Sequence, residues 1–498
     1  MASKVSDLVG FNLGHRVNKY LFLLLFFIAP LMVSAAQQPV PESISSNIKG
    51  ALCYIQSDDQ VVFVKEVFTQ KLSLPGGTID LNEAANKAAE RETWEETGLV
   101  VTAKEILTQT ETAVVFHCEP ASGVIAFTAR NHHGFHVLPA WFAPDFGIET
   151  KQVLLGYADM IKPQEYRYPA QYHQQVLNHD VPNAPIQYID SAISAAPLMH
   201  QFELPVIEKI QSTISLLPKW ISAFIFDVLK VFNSTASIFG VLFLMPIMIY
   251  YFGGKPSLQM AYVGIVTVTI TLLIQLGLKF PRPFIYLPPL QLTDILGFST
   301  PSIRTALSIV LIGYLFHIWK KMYEYESIWR CLVLLIGVTL IQGLSSIMLG
   351  EQFISDVLFG YVIGLLILWH YIRLDDKQSV AAKLIMLQPA LWWGSLGGLL
   401  ILAYSLHSIQ LANLAGITFA FVISLPSLIK VPHLTLPYLI VKMVATCLIT
   451  YGIFITQQHW LTYITQSSIS GYFAQCGFWF VLTYIVIKIS CIGSYPKK

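Results

Sequence analysis

The sequence predicts a two-part fold, an α/β domain followed by an all-α polytopic membrane domain. Three observations carry that expectation. Only 12% of the 498 residues are charged while 54% are hydrophobic. Short β-rich runs surround one strongly patterned helix up to about residue 180, and long apolar runs dominate after about 218. Soluble domains carry about 25% charged residues, so half that fraction indicates a membrane protein. The formal net charge of +1 gives no reason to expect a nucleic-acid partner, and no protein partner is inferred.

At the N-terminus a basic flank (His15, Arg16, Lys19) precedes an apolar run from Tyr20 to Val33, and Val33-Ser34-Ala35-Ala36 follows. This is the layout of a signal peptide over residues 1–36, cut after Ala35 or Ala36, or of an uncleaved anchor. In both cases the positive flank stays inside and the next segment crosses the membrane. The expected location is an inner (cytoplasmic) membrane, with the α/β domain on the periplasmic side. Cys53 and Cys118 fall on expected strands of that domain, where an oxidising compartment permits a disulfide. The bond forms only if the fold brings their Cα atoms within about 7 Å.

Residues 45–180 read as the α/β domain. Ala51–Ile55 and Val61–Val64 are strands split by a turn at Ser57-Asp58-Asp59. Leu72–Gly77 is a strand end turning into a loop, and Glu83–Thr97 is a helix closed by Gly98 in a left-handed position. Val114–His117 and Val124–Thr128 are further strands, and Pro169–Asn178 is a closing helix starting on proline. Residues 181–218, opened by the proline-containing stretch Val181–Pro185, read as a linker.

Crossing the hydrocarbon core takes about 20 apolar residues. Such spans are expected near 235–252, 259–279, 304–319, 329–348 and 354–372, within a membrane domain over 219–375. About four more follow over 385–498, near 389–409, 411–429, 437–456 and 471–492. Trp220–Phe232, broken by Asp227 and Lys230, suits the interface. With the first span starting outside, Lys255, Lys320, Lys321, Arg330, Arg373, Lys377, Lys383, Lys430, Lys497 and Lys498 fall inside. The connections between spans on the outer side hold only Lys279, Arg282 and Arg304. The asymmetry is that of the positive-inside rule, and the three exceptions call for another role. Asn233-Ser234-Thr235 also fits the short pattern of a glycosylation acceptor.

From Gly77 the chain reads GTIDLNEAANKAAERETWEETGL. Glu92, Glu95 and Glu96 stand at i, i+3 and i+4, one face of a helix. Like charges so placed repel, so a counter-cation is implied. Oxygen ligands suit Mg²⁺ or Mn²⁺. Such an ion bridges a diphosphate and lowers the pKa of an attacking water. Gly76 and Gly77 let the backbone approach helix and ligand closely, and Arg91 is placed to orient a neighbouring carboxylate. The segment resembles the Nudix signature G-x5-E-x7-R-E-U-x-E-E-x-G-U, where U is aliphatic. Gly77, Glu83, Arg91, Glu92, Glu95, Glu96, Gly98 and Leu99 match, and Thr93 departs from it. The resemblance, over roughly 47–175, implies an α/β/α sandwich that hydrolyses a diphosphate linkage. Glu92, Glu95 and Glu96 would bind metal, Glu83 would support them, and Glu119 or Glu149 would add a further acid.

The membrane part, at roughly 200–375, resembles the type 2 phosphatidic acid phosphatase family, with its motifs K-x6-R-P, P-S-G-H and S-R-x5-H-x3-D. Arg282-Pro283 match, but Gln275 stands at the lysine position, with Lys279 one turn later. Pro301-Ser302-Ile303-Arg304 puts arginine at the acid histidine, and an arginine is a poor proton donor. Ser346 replaces the arginine of the third motif, Gln352 its nucleophilic histidine, and Asp356 remains. A carboxamide cannot form a phosphoenzyme. Lys279, Arg282, Ser302, Arg304 and Asp356 are therefore expected to bind lipid phosphate without cleaving it, the alternatives being an inert scaffold that only anchors the first domain and residual phosphatase activity by an altered mechanism.

The leading expectation is a membrane-tethered hydrolase of a nucleoside-diphosphate derivative or a lipid-linked diphosphate. One alternative is a lipid phosphatase with a regulatory Nudix domain. Another is a non-catalytic lipid-binding or transport protein.

Overall fold

In the computed structural model, residues 47–177, 179–235, 238–323, 328–376, 386–431, 436–464 and 468–491 are described. The signal or anchor segment lies outside them, as do Asn178, Lys377, Lys383, Lys497 and Lys498. The first domain opens with β1 (Gly50–Tyr54), β2 (Gln56–Ser57) and β3 (Gln60–Glu66). Asp58 and Asp59 both take positive φ, 53° and 56°, the mirror-image turn whose twist suits a two-residue hairpin. After β4 (Leu72–Ser73) and β5 (Gly76–Thr78) comes helix α1 (Ala85–Thr97). Next are β6 (Val101–Gln109), β7 (Ala113–Pro120), β8 (Val124–Phe127), β9 (His136–Leu138) and β10 (Thr150–Gly156).

One sheet has the order β5-β1-β7-β6, with β1 and β7 parallel, and a second runs β2-β3-β10-β9. Helix α1 buries Ala85, Ala88, Ala89, Thr93, Glu96 and Thr97. Its small residues bring the helix axis close to the sheet that carries β5. Gly98 ends it at φ 74°, donating to the Trp94 carbonyl, and a Cβ there would collide with the Phe142 ring. Cys53 on β1 and Cys118 on β7 are disulfide-bonded, with Cα atoms 5.4 Å apart. Thr93 is fully buried and its hydroxyl has no partner among the described residues. An unpaired buried hydroxyl costs about 1–3 kcal/mol. Thr93→Val, of nearly the same shape, is therefore expected to stabilise the chain by about 1 kcal/mol; a lower melting temperature would contradict it.

Several boundaries differ from expectation. The helix starts at Ala85, which leaves Glu83 in the preceding turn, and Gly76-Gly77 belong to a strand instead of a loop. Gly76 has φ 141°, and a Cβ on it would lie 2.3 Å from the Ala51 carbonyl, so the strand pairing with β1 itself requires glycine. The closing helix shrinks to a 3-10 turn at Pro169–Gln171 and α2 (Tyr172–Gln175). The segment read as a linker is structured. It contributes β11 (Ile186–Ile189), parallel to β8, and the 18-residue helix α3 (Leu198–Ser215). Strand β8 would otherwise leave its backbone groups unpaired along that edge.

The rest is helical: α4 (Lys219–Thr235), α5 (Ile238–Phe252), α6 (Gly254–Leu278), α7 (Pro283–Tyr286), α8 (Ile303–Tyr323) and α9 (Ile328–Met348). Then follow α10 (Ile354–Asp376), α11 (Pro389–Ser405), α12 (Ile409–Leu428), α13 (Leu436–Ile464) and α14 (Ser468–Cys491). Each expected span coincides with a helix. Five segments among the described residues are long and apolar enough to cross a membrane: 254–286, 303–322, 354–376, 409–428 and 471–491. Helix α4 exposes Trp220, Phe224 and Val231 beside Asp227 and Lys230.

The first domain rests on the helix ends that carry Arg282 and Arg304. Lys151 pairs with Asp294 at 2.7 Å, Trp141 packs on Tyr286 at 4.9 Å, and Phe68 meets Tyr472 edge-on at 4.7 Å. Lys255, Lys320, Lys321, Arg330 and Arg373 stand at the opposite helix ends.

Candidate active site

Helix α1 presents its carboxylates beside the Gly76-Gly77 strand. The Glu96 carboxylate is buried and accepts from the Gly76 N–H at 2.9 Å. Glu92 lies against Gly77, where a Cβ would sit 2.4 Å from its Oε2. Arg91 organises the remainder. It donates to both oxygens of Glu83 at 2.9 Å, to Glu92 at 3.0 Å, to Glu95 at 2.9 Å and to the Thr78 carbonyl at 3.1 Å. Its hydrogen bonds hold the Glu83 carboxyl below the usual range.

A second set of acids arrives from separate loops. The Asp145 N–H donates to the Glu95 carbonyl at 2.9 Å, which fixes the 145–149 turn on the end of α1. The Val67 N–H donates to the Glu149 carbonyl at 2.7 Å, which places Glu66 beside that turn. Glu66 accepts from Arg167 at 2.6 Å and from Thr69 at 2.8 Å. Burial, then the charge of Glu95 and Glu149, pushes the Glu92 carboxyl from 4.5 to about 7 despite Arg91. Burial also pushes Glu96 well above its usual value, with Glu66, Glu92 and Glu149 adding to it. Asp145 is raised to about 6 by burial and by Glu149 and Glu95, against Lys279 and His407. Glu149 is exposed, yet desolvation by the surrounding protein and then neighbouring acids still raise its carboxyl. Of the two later acids, Glu149 joins the cluster. Glu119 does not, because it sits at the far end of β7 and pairs with Lys104 at 3.0 Å.

In the membrane domain Arg282, Ser302, Arg304, Ser346, Gln352 and Asp356 come together, and a residue not anticipated fills their centre. The buried Glu351 carboxylate accepts from Arg304, from Asn233 at 2.8 Å and from Thr293 at 2.7 Å. Arg282 donates to the carbonyls of Gly297, Leu296 and Glu351 at 3.0, 3.1 and 2.8 Å. With its amide assigned to suit its neighbours, Gln352 accepts from Arg282 and donates to Ser299. Ser302 bonds Thr305 at 2.9 Å, and Asp356 accepts from Thr300 and the Phe353 N–H. Ser346 donates to Asn233 at 2.8 Å.

Two expectations fail here. Lys279 is outside the pocket: the chain turns at φ 52° after α6, and the ammonium points at the Pro144 carbonyl, 3.3 Å away. Asn233 is 3% exposed and bonded to Glu351, Gln342 and Ser346, which excludes it as a sugar acceptor in this fold. An ionisable group at a membrane-helix end is a functional signal by default, and Glu351 could have been singled out on that ground. Asp145, Glu66 and Arg167 carry no comparable sequence mark.

Residues 47–149 match the model of the NUDIX domain, and residues 256–379 that of the PAP2 superfamily. The chain joins a NUDIX domain to a PAP2 domain. A MutT-like protein of Streptomyces ambofaciens is 28% identical over 97 residues, which are 18% of this chain and 60% of that relative's length. A PAP2-type phosphatidylglycerolphosphate phosphatase of Bacillus subtilis aligns at 17% identity and TM-score 0.30, over 38% of this chain and 98% of that one. An ADP-ribose pyrophosphatase of Streptococcus suis aligns at 17% identity and TM-score 0.20, over 28% and 97%.

No three acidic, histidine or cysteine side chains among the described residues converge at metal-holding distances. In the NUDIX domain Arg91 binds oxygens of Glu92 and Glu95 in this structure. The donor set nevertheless suits a hard divalent ion, because it is all carboxylate and burial makes Glu92 and Glu96 resist ionisation unless a cation joins them. One consequence can be measured without substrate. Glu92 is raised above 4.5 in the fold, so between about pH 4.5 and 7 the folded chain binds more protons than the unfolded chain. Stability therefore falls as pH rises through that window. In a chelator the melting temperature should drop between pH 5 and pH 7, and Mg²⁺ at pH 7 should reverse the drop. A melting temperature that rises with pH under chelation would contradict this.

Proposed function

We propose that the NUDIX domain is a divalent-metal-dependent hydrolase of a diphosphate linkage, held at the outer face of a membrane by the PAP2 domain. The observation that carries this reading is the acid face of α1, Glu92, Glu95 and Glu96, opposite Glu66, Asp145 and Glu149. Glu92, Glu95 and Glu96 would hold Mg²⁺ or Mn²⁺. The ion supplies charge neutralisation for the diphosphate and acidifies a bound water. Arg91 keeps Glu83, Glu92 and Glu95 in register, and the Gly76 N–H fixes the Glu96 carboxylate. Glu149, partly open to solvent with its affinity for protons raised, suits a general base for that water. Hydrolysis by the purified chain that needs Mg²⁺ and stops with chelator tests the reading; metal-independent release would refute it.

The PAP2 pocket contributes no second hydrolytic centre in this proposal. Where a phosphate would meet cations, the pocket already holds the Glu351 carboxylate, and Gln352 and Arg304 supply neither nucleophile nor acid. The basic residues at the far helix ends support the outer placement, as does the disulfide. A cysteine placed at Leu81, 95% exposed, should react with an impermeant maleimide on intact spheroplasts. A cysteine at Lys320 should react only after lysis, and the reverse pattern would refute the orientation.

A further inference from the structure

The acid cluster of the NUDIX domain faces the membrane domain. Three membrane-domain side chains stand at its edge, each at the end of a helix. Lys279, just past α6, reaches the Pro144 carbonyl at 3.3 Å, one residue from Asp145. It is exposed and makes no ion pair among the described residues. His407 lies in the turn between α11 and α12 and, like Lys279, acts electrostatically on Asp145 and also on Glu149. Tyr472, in the first turns of α14, packs against Phe68. Its hydroxyl is buried beside Glu149 and has no hydrogen-bond partner among the described residues. The rim continues through Phe298, which touches the Gly147 position of the 145–149 turn.

Lys279 makes one hydrogen bond, to a carbonyl, and the Tyr472 hydroxyl makes none among the described residues, so both keep donor capacity at the edge of the acid cluster beside His407. The acids beside them would coordinate metal, so the group missing from the arrangement is an anion that the metal also binds. A diphosphate has that character. The donors belong to ends of membrane-crossing helices, so the anion they complete lies at the level where lipid headgroups lie.

We propose that Lys279, His407 and Tyr472 of the membrane domain complete the diphosphate site of the NUDIX domain, and that its substrate is a membrane-anchored diphosphate. The proposal rests on the hydrolase reading above and deepens it. Lys279 and Tyr472 bind the phosphate oxygens, and His407 contributes to the same rim. In the reaction, water attacks a phosphorus of the P–O–P bridge and the bridging P–O bond breaks. The second phosphate leaves with the bridging oxygen, and the proton of the water passes to the acid cluster.

The test uses the full chain in phosphatidylcholine vesicles with Mg²⁺. It compares a polyprenyl diphosphate in the bilayer with a soluble nucleoside diphosphate sugar. The expected result is a kcat/KM for the lipid at least about tenfold higher. Lys279→Ala and Tyr472→Phe should each raise KM for the lipid by about tenfold, the scale of one lost charge-assisted hydrogen bond. The melting temperature should not fall in either variant, Tyr472→Phe should raise it slightly by removing an unpaired buried hydroxyl, and Lys279→Arg should restore most of the loss. Preference for the soluble substrate, or unchanged lipid kinetics in both variants, overturns the inference and leaves the hydrolase reading standing. If wild type hydrolyses neither compound, the hydrolase reading falls and takes this inference with it.

Discussion

Glutamine at Glu92 or Glu96 should lower diphosphate hydrolysis by at least about 100-fold. Loss of a group that merely supports a metal ligand costs about 10–100-fold, and a ligand itself should cost more. The two variants should nevertheless fold as well as wild type, or better. Both carboxyls are held above the usual range by burial, so a neutral amide removes a charge that the metal-free fold tolerates poorly. Glu96→Gln keeps an oxygen for the Gly76 N–H. The measurement is hydrolysis at saturating Mg²⁺ alongside melting in chelator. Wild-type rates in both variants would mean that the acid face does not hold the catalytic ion.

The second large effect is on stability and belongs to the PAP2 domain. Arg304→Ala should destabilise the chain by about 3 kcal/mol, the low end of the cost of leaving a buried charge without its partner, because Glu351 is buried while Arg304 is partly exposed. Glu351 is 2% exposed and keeps only Asn233 and Thr293 after the change. Adding Glu351→Gln should recover much of the loss, because the remaining group is then neutral. If the single and double variants unfold alike, the pair is not coupled and Glu351 is not the pocket's internal anion. The same contact bears on attempts to restore phosphatase chemistry. Gln352→His alone supplies a nucleophile without an acid and leaves Glu351 where substrate phosphate would go, so no turnover is expected. Phosphate release by that variant, with the NUDIX glutamates replaced and metal chelated, would show that the pocket admits substrate.

What the sequence made legible was the part of the site encoded within one helix. Glu92, Glu95 and Glu96 share a face because 3.6 residues make a turn, and Gly98 marks the end because only glycine takes its conformation cheaply. The strands at Ala51 and Val61 were legible for the same local reason. Asp145, Glu66 and Arg167 were not, since only the packing of β3, β10 and α1 brings three distant stretches to one place. Strand β11 was hidden by flanking prolines and by a pairing partner some 60 residues earlier. Lys279 shows the converse error. Its place one turn after the lysine position of the motif, held by Gln275, suggested a shared pocket, but one left-handed residue at the end of α6 sends its side chain towards the other domain.

The Cys53–Cys118 bridge also bears on how the protein must be made. It closes a loop of 65 residues that contains α1 and every residue of the glycine–glutamate signature. Closing a loop of that size removes about 4 kcal/mol of chain entropy from the unfolded ensemble. A chain produced where thiols stay reduced would carry a NUDIX domain weakened by that amount. Yield of membrane protein and yield of folded NUDIX domain would then part company, and an oxidant supplied during biogenesis, with no change in expression level, would bring them back together.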